Sequence, residues 1–559
     1  MTQQPETQEP ATEPAEGSSS LLRSGAVMAV GTIASRLTGF LRSLILVVAL
    51  GTVGLGDVYN TANTVPNIVY DLLLGGILTS VIVPLIVRAR ERDRRYGEEY
   101  EQRLFSAAVV FLAVLTLAAV ALAPVLISIY GNSFQGPKRE LAVLFALFFL
   151  PQIFFYGIGA FAGAILNTRG RFGAPMWAPV LNNLVVIVIG GVFMVISTGT
   201  PTPATITTAE KLLLAIGTTG GIVLQTVALW PSLRAVGFRW RPRFDFHKGE
   251  LSGIGRMAGW TLVYVVATQI GFAVTTALAN AAGDRATAEH LSGGYGFTPY
   301  FTAYQMFQLP YAIVAVSVIT ALLPRMSEHA AEERGDLVKD DFSSGLRLSS
   351  VIMVPAAVLM VVFGVEIATV LFAHGHTSLA GARVIGHVMQ MFAIALLPFS
   401  TFQLMLRVFY AYRDTKTTAF VAFATVGANV GVSFTLYQVL DTKWIVTGLA
   451  FGFAIAQAVG VVLCWTILRL RLGGLDGKRI ITTNLKLLLA ATPTALFAYA
   501  VHLGVERWMG SGALPALTAL VLGSMVGGVL YLVAAKLLRV GEVETMISTL
   551  TRRLLPGRG

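Results

Sequence analysis

The sequence predicts an all-α integral membrane protein of about fourteen transmembrane helices, and three observations predict it. Hydrophobic residues are 55% of the 559 and charged residues only 13%, with a mean hydropathy of +0.70, whereas an ordinary soluble domain is about 25% charged. The apolar residues fall in runs of the roughly 20 needed to cross a bilayer core about 30 Å thick. The loops between the runs alternate in charge along the whole chain.

Residues 1–20 are rich in Thr, Gln, Glu, Pro, Ala and Ser, too polar to pack a core, and read as a disordered cytoplasmic tail. Acidic residues stand there where a signal peptide needs basic ones, so the first apolar run is expected to stay as a membrane helix. Spans follow near 24–50, 57–87, 104–130, 140–167, 175–197, 211–233 and 250–281, then near 296–324, 347–373, 379–411, 416–439, 444–468, 485–505 and 513–538. Loops placed inside hold 24 Lys/Arg: six from Arg88 to Arg103, Arg169 and Arg171, five from Arg234 to Lys248, four from Arg325 to Arg347, Arg413 and Lys416, and five from Arg469 to Lys486. Loops placed outside hold seven: Lys138, Arg139, Lys211, Arg285, Arg383, Lys443 and Arg507. The positive-inside rule then puts both termini in the cytoplasm, and a miscounted span would break the alternation.

The two halves echo one another. Pro66 and Pro84 bracket an apolar run in the second helix, as Pro310 and Pro324 do in the eighth. The fourth helix runs from Pro151 into Asn167–Phe172, and the tenth from Pro398 into Tyr410–Thr415. Both pairs are six helices apart, which suits an internal repeat with a substrate site between bundles. The expected organisation is a tail (1–20), a six-helix bundle (21–235), a second six-helix bundle (249–470), two additional helices (483–538) and a short cytoplasmic tail (539–559).

Composition narrows the chemistry. The single cysteine, Cys464, rules out an intrachain disulfide and a thiolate metal site. The net charge of +11 is scattered through short loops without interleaved aromatics, so nucleic acid is not the expected partner. His374 and His376 share a loop with no Cys, Asp or Glu at ligand spacing and read as solvated. No metal, cofactor or enzymatic activity is expected. There is no G-x-x-x-x-G-K-S/T loop, so the energy source would be an ion gradient, the membrane potential or the substrate gradient. Glu366 in the ninth span either relays a proton or lies near the external end, where it snorkels or bonds a neighbour.

The informative charges are Arg36, Arg42 and Asp57, in or beside the first two spans. An ionised side chain in hydrocarbon costs roughly 2.5 to 3.5 kcal/mol on insertion scales, so such residues usually face a wet path or an anionic ligand. Arg36 and Arg42 point about 120° apart on a helix and border one cavity only if it is wide. Gly39, Gly31 and Ser35 leave that helix thin enough for close packing or substrate approach. Asp57 opens the second helix, where a carboxylate suits the helix dipole. The structural alternative is that Arg42 snorkels, Asp57 caps and Arg36 pairs with Asp71. Arg256 and Arg407 are further candidates, divided between cavity and interface.

The run Ser35-Arg36-Leu37-Thr38-Gly39-Phe40-Leu41-Arg42, followed by Gly56-Asp57 and Val65-Pro66-Asn67, resembles the opening of the MurJ (MviN) family of lipid II flippases. Gly163–Thr168 with Arg171-Phe172 and Ala178-Pro179, Gln308-Leu309-Pro310 through Leu322-Leu323-Pro324, Gly345–Leu348, and Phe409-Tyr410 with Asp414–Thr417 agree in order and spacing, so that the resemblance spans roughly 22–540. It implies the multidrug/oligosaccharidyl-lipid/polysaccharide exporter fold, a V-shaped pair of six-helix bundles, with the two C-terminal helices forming a groove for a lipid tail. It further implies outward flipping of lipid II in the bacterial plasma membrane for cell-wall synthesis, with lipid II and membrane lipids as partners and cell-wall synthesis proteins as candidate partners. The family's site residues carry over to Arg36, Arg42 and Asp57. Two family arginines do not, because their positions hold Tyr70 and Gln305; Arg256, and less favourably Arg407, are candidate substitutes. The carboxylate that often follows the second arginine is Ser43 here. The acids that bind sodium in some members are also missing: the seventh helix has none and the eleventh offers Asn429 and Ser433. Export of drugs or of another lipid-linked glycan, and a non-transporting scaffold, are the alternatives; a scaffold should tolerate neutralisation of Arg36.

Overall fold

The computed structural model describes residues 16–72, 94–245, 255–544 and 546. The described residues form eighteen helices and no strand. The first are α1 (Glu16–Leu50), α2 (Leu55–Leu72), α3 (Arg94–Ala121), α4 (Ala123–Tyr130), α5 (Gly136–Phe149) and α6 (Gln152–Thr168). Then come α7 (Gly173–Ile196), α8 (Thr208–Val227), α9 (Trp230–Ala235), α10 (Gly255–Ala288), α11 (Phe297–Ile313) and α12 (Ala315–Ala331). The last are α13 (Gly335–Phe372), α14 (Leu379–Ala411), α15 (Thr415–Val439), α16 (Thr442–Arg471), α17 (Gly477–Met509) and α18 (Ala513–Leu537).

Among the described residues, twelve segments are long and apolar enough to cross a membrane. They coincide with the expected spans except the second and eighth. The second runs from α2 into residues outside those described, and the eighth is divided at Val314 into α11 and α12. Other expected spans are also broken, and proline explains where. Pro124 starts α4 after a bend at Leu122, Pro151 separates α5 from α6, and Pro231 starts α9. A proline lacks the N–H that would continue the preceding ladder, so it fits best in a first turn. α1 already begins at Glu16, inside the stretch expected as tail.

The exterior is apolar, as lipid demands: Val195, Leu470 and Leu537 are all more than three-quarters exposed. Polar side chains face inward and bond one another. Tyr59 and Thr218 share a 2.8 Å hydroxyl bond, and the Gln152 amide donates to Thr219 at 3.1 Å. Intrahelical hydroxyl-to-carbonyl bonds, such as Thr38 to Ala34, satisfy further groups without a tertiary partner.

Packing defines the units. In the first bundle α1 lies on α7, α7 on α8, α2 on α5 and α3 on α6; in the second, α10 lies on α15, α14 on α13 and α16, and α15 on α16. The connecting strand of chain is held against α3, where Trp240 Nε1 donates to Ser106 Oγ at 3.1 Å and Arg103 pairs with Asp245. α17 and α18 pack on each other and on α13. Their anchors are Tyr531, whose hydroxyl donates to the Val351 carbonyl at 2.7 Å, and Phe363, whose ring fills the space a Gly523 side chain would take. Phe363 is also where α13 leaves helical geometry (φ −104°, ψ 17°). Beside it Gly364 and Gly386 bring the backbones of α13 and α14 into contact, the small-residue crossing common inside membranes.

Candidate functional site

A cavity of about 720 Å³ lies between the bundles. α1 contributes Arg36, Gly39, Phe40, Arg42 and Ser43, and α2 contributes Thr64 and Asn67. The facing wall, from α10, α11, α14, α15 and α16, carries Tyr264, Tyr304, Gln305, Gln403, Asn429 and Gln457 among aromatic neighbours. The described lining therefore places its two cations on the first bundle and only uncharged groups on the second.

The α1 wall is fixed by its contact with α7. Gly31 admits Trp177 against the helix backbone, and the Asn183 amide donates to Thr38 Oγ1 at 3.0 Å and to the Ser35 carbonyl at 3.2 Å. Arg36 is exposed at the cavity wall. Arg42, one and two-thirds turns further on, lines both the cavity and a small polar recess of about 50 Å³ with Asn60, Asn63 and Asn182. The two side chains thus reach a shared space despite their angular separation. Among the described residues neither has an ion-pair partner, and Arg42 Nε is buried without a hydrogen-bond acceptor. A desolvated guanidinium donor with nothing to bond is poised for an anionic oxygen.

Asp57 lies elsewhere. It is buried where the bundles meet, and its Oδ1 accepts from the Thr298 backbone N–H at 2.7 Å, in the first turn of α11. The carboxylate thereby satisfies an orphan N–H and meets the positive end of the α11 dipole. Gly296 makes this possible, because a Cβ there would come 2.1 Å from Asp57 Oδ2. Around it, Asn60 donates to Thr298 Oγ1 at 3.1 Å, Thr52 to the Gly293 carbonyl at 2.9 Å, and Asn280 to Thr61 Oγ1 and the Tyr130 carbonyl. Asp284 holds Ser133 and Lys138. These bonds close one end of the cleft. Asp57 is therefore part of the closure and not of the cavity lining.

His376 belongs to the same closure, which corrects its reading as a solvated loop residue. Its backbone N–H donates to the Val48 carbonyl at 2.9 Å, its ring Nδ1 lies 2.6 Å from the Ala49 carbonyl, and Thr377 Oγ1 donates to the Val47 carbonyl at 2.7 Å. Sequence reasoning missed this contact; its local sign is the pair Gly51 and Gly375, since a Cβ at Gly51 would come 2.9 Å from the His376 carbonyl oxygen and one at Gly375 2.7 Å from the Val48 carbonyl oxygen. His374 remains exposed.

Gln305 does line the cavity, so the position where the family pattern expected an arginine presents an amide. Arg407 is half-buried, with its guanidinium 5.6 Å from the Tyr410 ring and Tyr311 nearby. The side chains of Tyr70, Asp71 and Arg256 lie outside the described residues; the Arg256 backbone is in the first turn of α10. Asn429 donates to Thr275 Oγ1 at 3.3 Å, an uncharged pair where some relatives are expected to carry acids. Glu366 bonds His502 of α17, as one of its two expected readings required.

The profile of the family described as "Lipid II flippase MurJ" matches residues 46–523. Two proteins named "Probable lipid II flippase MurJ" are similar along most of their length. The Haemophilus influenzae one is 24% identical over 450 residues, covering 78% of this chain and 83% of its own; that of Rhizobium meliloti is 26% identical over 455 residues, covering 80% and 81%. The fold is similar to a solved structure described as "Lipid II flippase MurJ, inward closed conformation", with a TM-score of 0.72 at 17% identity over 92% of this chain and 98% of the other. It is also similar to an inward-facing multidrug resistance MATE family transporter of the MOP superfamily, with a TM-score of 0.62 at 15% identity over 79% and 96%.

Proposed function

The chain belongs to the lipid II flippase MurJ family, and from that premise we propose that it carries lipid II from the cytoplasmic to the outer leaflet for peptidoglycan synthesis. The observation that carries this reading is the pair of arginines without ion-pair partners among the described residues, Arg36 and Arg42, on one wall of the cavity of about 720 Å³ between the bundles. The cargo's diphosphate loses its hydration on leaving the surface, and planar guanidinium donors replace that hydration with charge-assisted bonds. The amide and aromatic wall opposite suits sugar hydroxyls and peptide groups, while the polyprenyl tail stays in lipid along α17 and α18.

Loop charge supports placing the cavity mouth and both termini on the cytoplasmic side, and the Asp57, His376 and Asp284 contacts on the outer side. Transport then requires those contacts to break while the opposite end closes, an alternating rocking of the two bundles. Arg256 is proposed as a further phosphate ligand. The experiment is depletion with complementation: accumulation of lipid II on the cytoplasmic face, restored by the wild type and not by an Arg36→Ala/Arg42→Ala variant, supports this reading. Full restoration by that double variant would refute it.

A further inference from the structure

A second cavity, of about 460 Å³, lies between the start of α17 and the end of α18 and shares no lining residue with the transport site. Four cations line it, Lys478, Arg479, Lys486 and Arg539, with two carboxylates, Asp476 and Glu542. Both carboxylates are already engaged by α13. Asp476 Oδ2 accepts from Ser343 Oγ at 2.8 Å, and Glu542 accepts from Arg347. None of the four cations has an ion-pair partner among the described residues.

Backbone geometry adds to the positive field. Asp476 precedes α17 but makes no side-chain cap; its carbonyl accepts from the Arg479 and Ile480 N–H groups, which leaves those of Gly477 and Lys478 without an acceptor among the described residues. Thr482 and Thr483 add hydroxyl donors. Immediately beyond the cavity the same helices turn apolar to lipid: Ile481 and Leu485 are more than half exposed, and Leu537 is more exposed still. Polar head and apolar flank adjoin at one membrane-interface position.

We propose that this cavity binds the phosphodiester headgroup of an anionic phospholipid, with its acyl chains lying along the outer faces of α17 and α18. Uncompensated cations at a helix–membrane boundary attract such lipids, each contributing about a fivefold gain in affinity. A free phosphate would make no use of the adjoining apolar track. The bound lipid bridges α17 and α18 at the point where Asp476 and Glu542 tie them to α13, and so seats the pair on the second bundle. The inference rests on charge and membrane placement and not on the cargo.

The test is lipid binding to the purified full-length protein, by native mass spectrometry after titration with phosphatidylglycerol or phosphatidylcholine. Lys486→Gln and Arg539→Asn should each weaken phosphatidylglycerol retention about fivefold and leave phosphatidylcholine retention unchanged. Asparagine suits position 539, whose φ is +52°. Lys486→Arg should retain wild-type binding, which separates charge from fold. Unchanged phosphatidylglycerol retention in the Lys486→Gln/Arg539→Asn double variant would overturn the proposal. So would equal loss of both lipids, complete competition by millimolar inorganic phosphate, or selective loss of undecaprenyl diphosphate with phosphatidylglycerol kept.

Discussion

Arg42 sits at the depth of the first span, yet it faces the cavity and a recess of asparagines rather than lipid. Removing it should remove an anion contact more than it disturbs packing. Arg36→Ala and Arg42→Ala are each expected to lose flipping at normal protein abundance, while Arg42→Lys keeps part of it because charge survives and the planar fork does not. Growth complementation with lipid II exposure measured in parallel tests this, and wild-type exposure in both alanine variants would contradict it. Arg256→Ala should also impair flipping, with Arg407→Ala milder; equal effects in the same assay would remove Arg256 from the site.

Gly296 offers a second test at this scale. Its replacement by alanine would drive a methyl group into Asp57, so Gly296→Ala should weaken the closed outer end. In a Cys464→Ser background, Thr268→Cys on the cavity wall should react with an external impermeant thiol reagent several-fold faster when Gly296→Ala is present. An unchanged rate would show that the Asp57 contact does not hold the outer end shut.

Among the elements, α15 shows how a helix start is secured. Asp414 caps it, accepting from the Thr417 N–H at 2.9 Å and the Thr417 hydroxyl at 2.6 Å, and Arg471 of α16 joins the same carboxylate. Burial pushes this carboxyl up, but the Thr417 and Arg471 bonds outweigh burial and hold it below its ordinary 3.8. A carboxyl lowered in the folded state stabilises fully above its ordinary value and loses that contribution as pH falls through the lowered one. Asp414→Ala is expected to cost about 1 kcal/mol at neutral pH, the usual worth of such a cap. Thermal unfolding in detergent at pH 7 checks this; an unchanged midpoint would contradict it, and the difference from wild type should shrink below pH 4.

For the whole molecule, the decisive test is topology. Asn132 lies exposed in the α4–α5 connection and Ala331 at the exposed end of α12. In the Cys464→Ser background, Asn132→Cys should label from outside intact cells and Ala331→Cys should be protected. The reverse pattern would invert the assignment of the cavity mouth to the cytoplasm.

The sequence by itself determined the class and most of the span positions, because apolar length and loop charge are local properties that lipid reads directly. It also determined that Arg36 and Arg42 needed a wet or anionic neighbour, since the cost of a charge in hydrocarbon does not depend on the rest of the fold. Only the tertiary structure decided what each charge meets. Asp57 has the same sequence signature whether it lines a cavity or caps a distant helix, and the 241 residues separating it from Thr298 carry no periodic trace of their pairing. His376 and Glu366 found partners, in Val48, Ala49 and His502, by the docking of whole bundles and helices. Such pairings follow from long-range packing, where apolar patterning fixes that a helix is buried but leaves open against which neighbour.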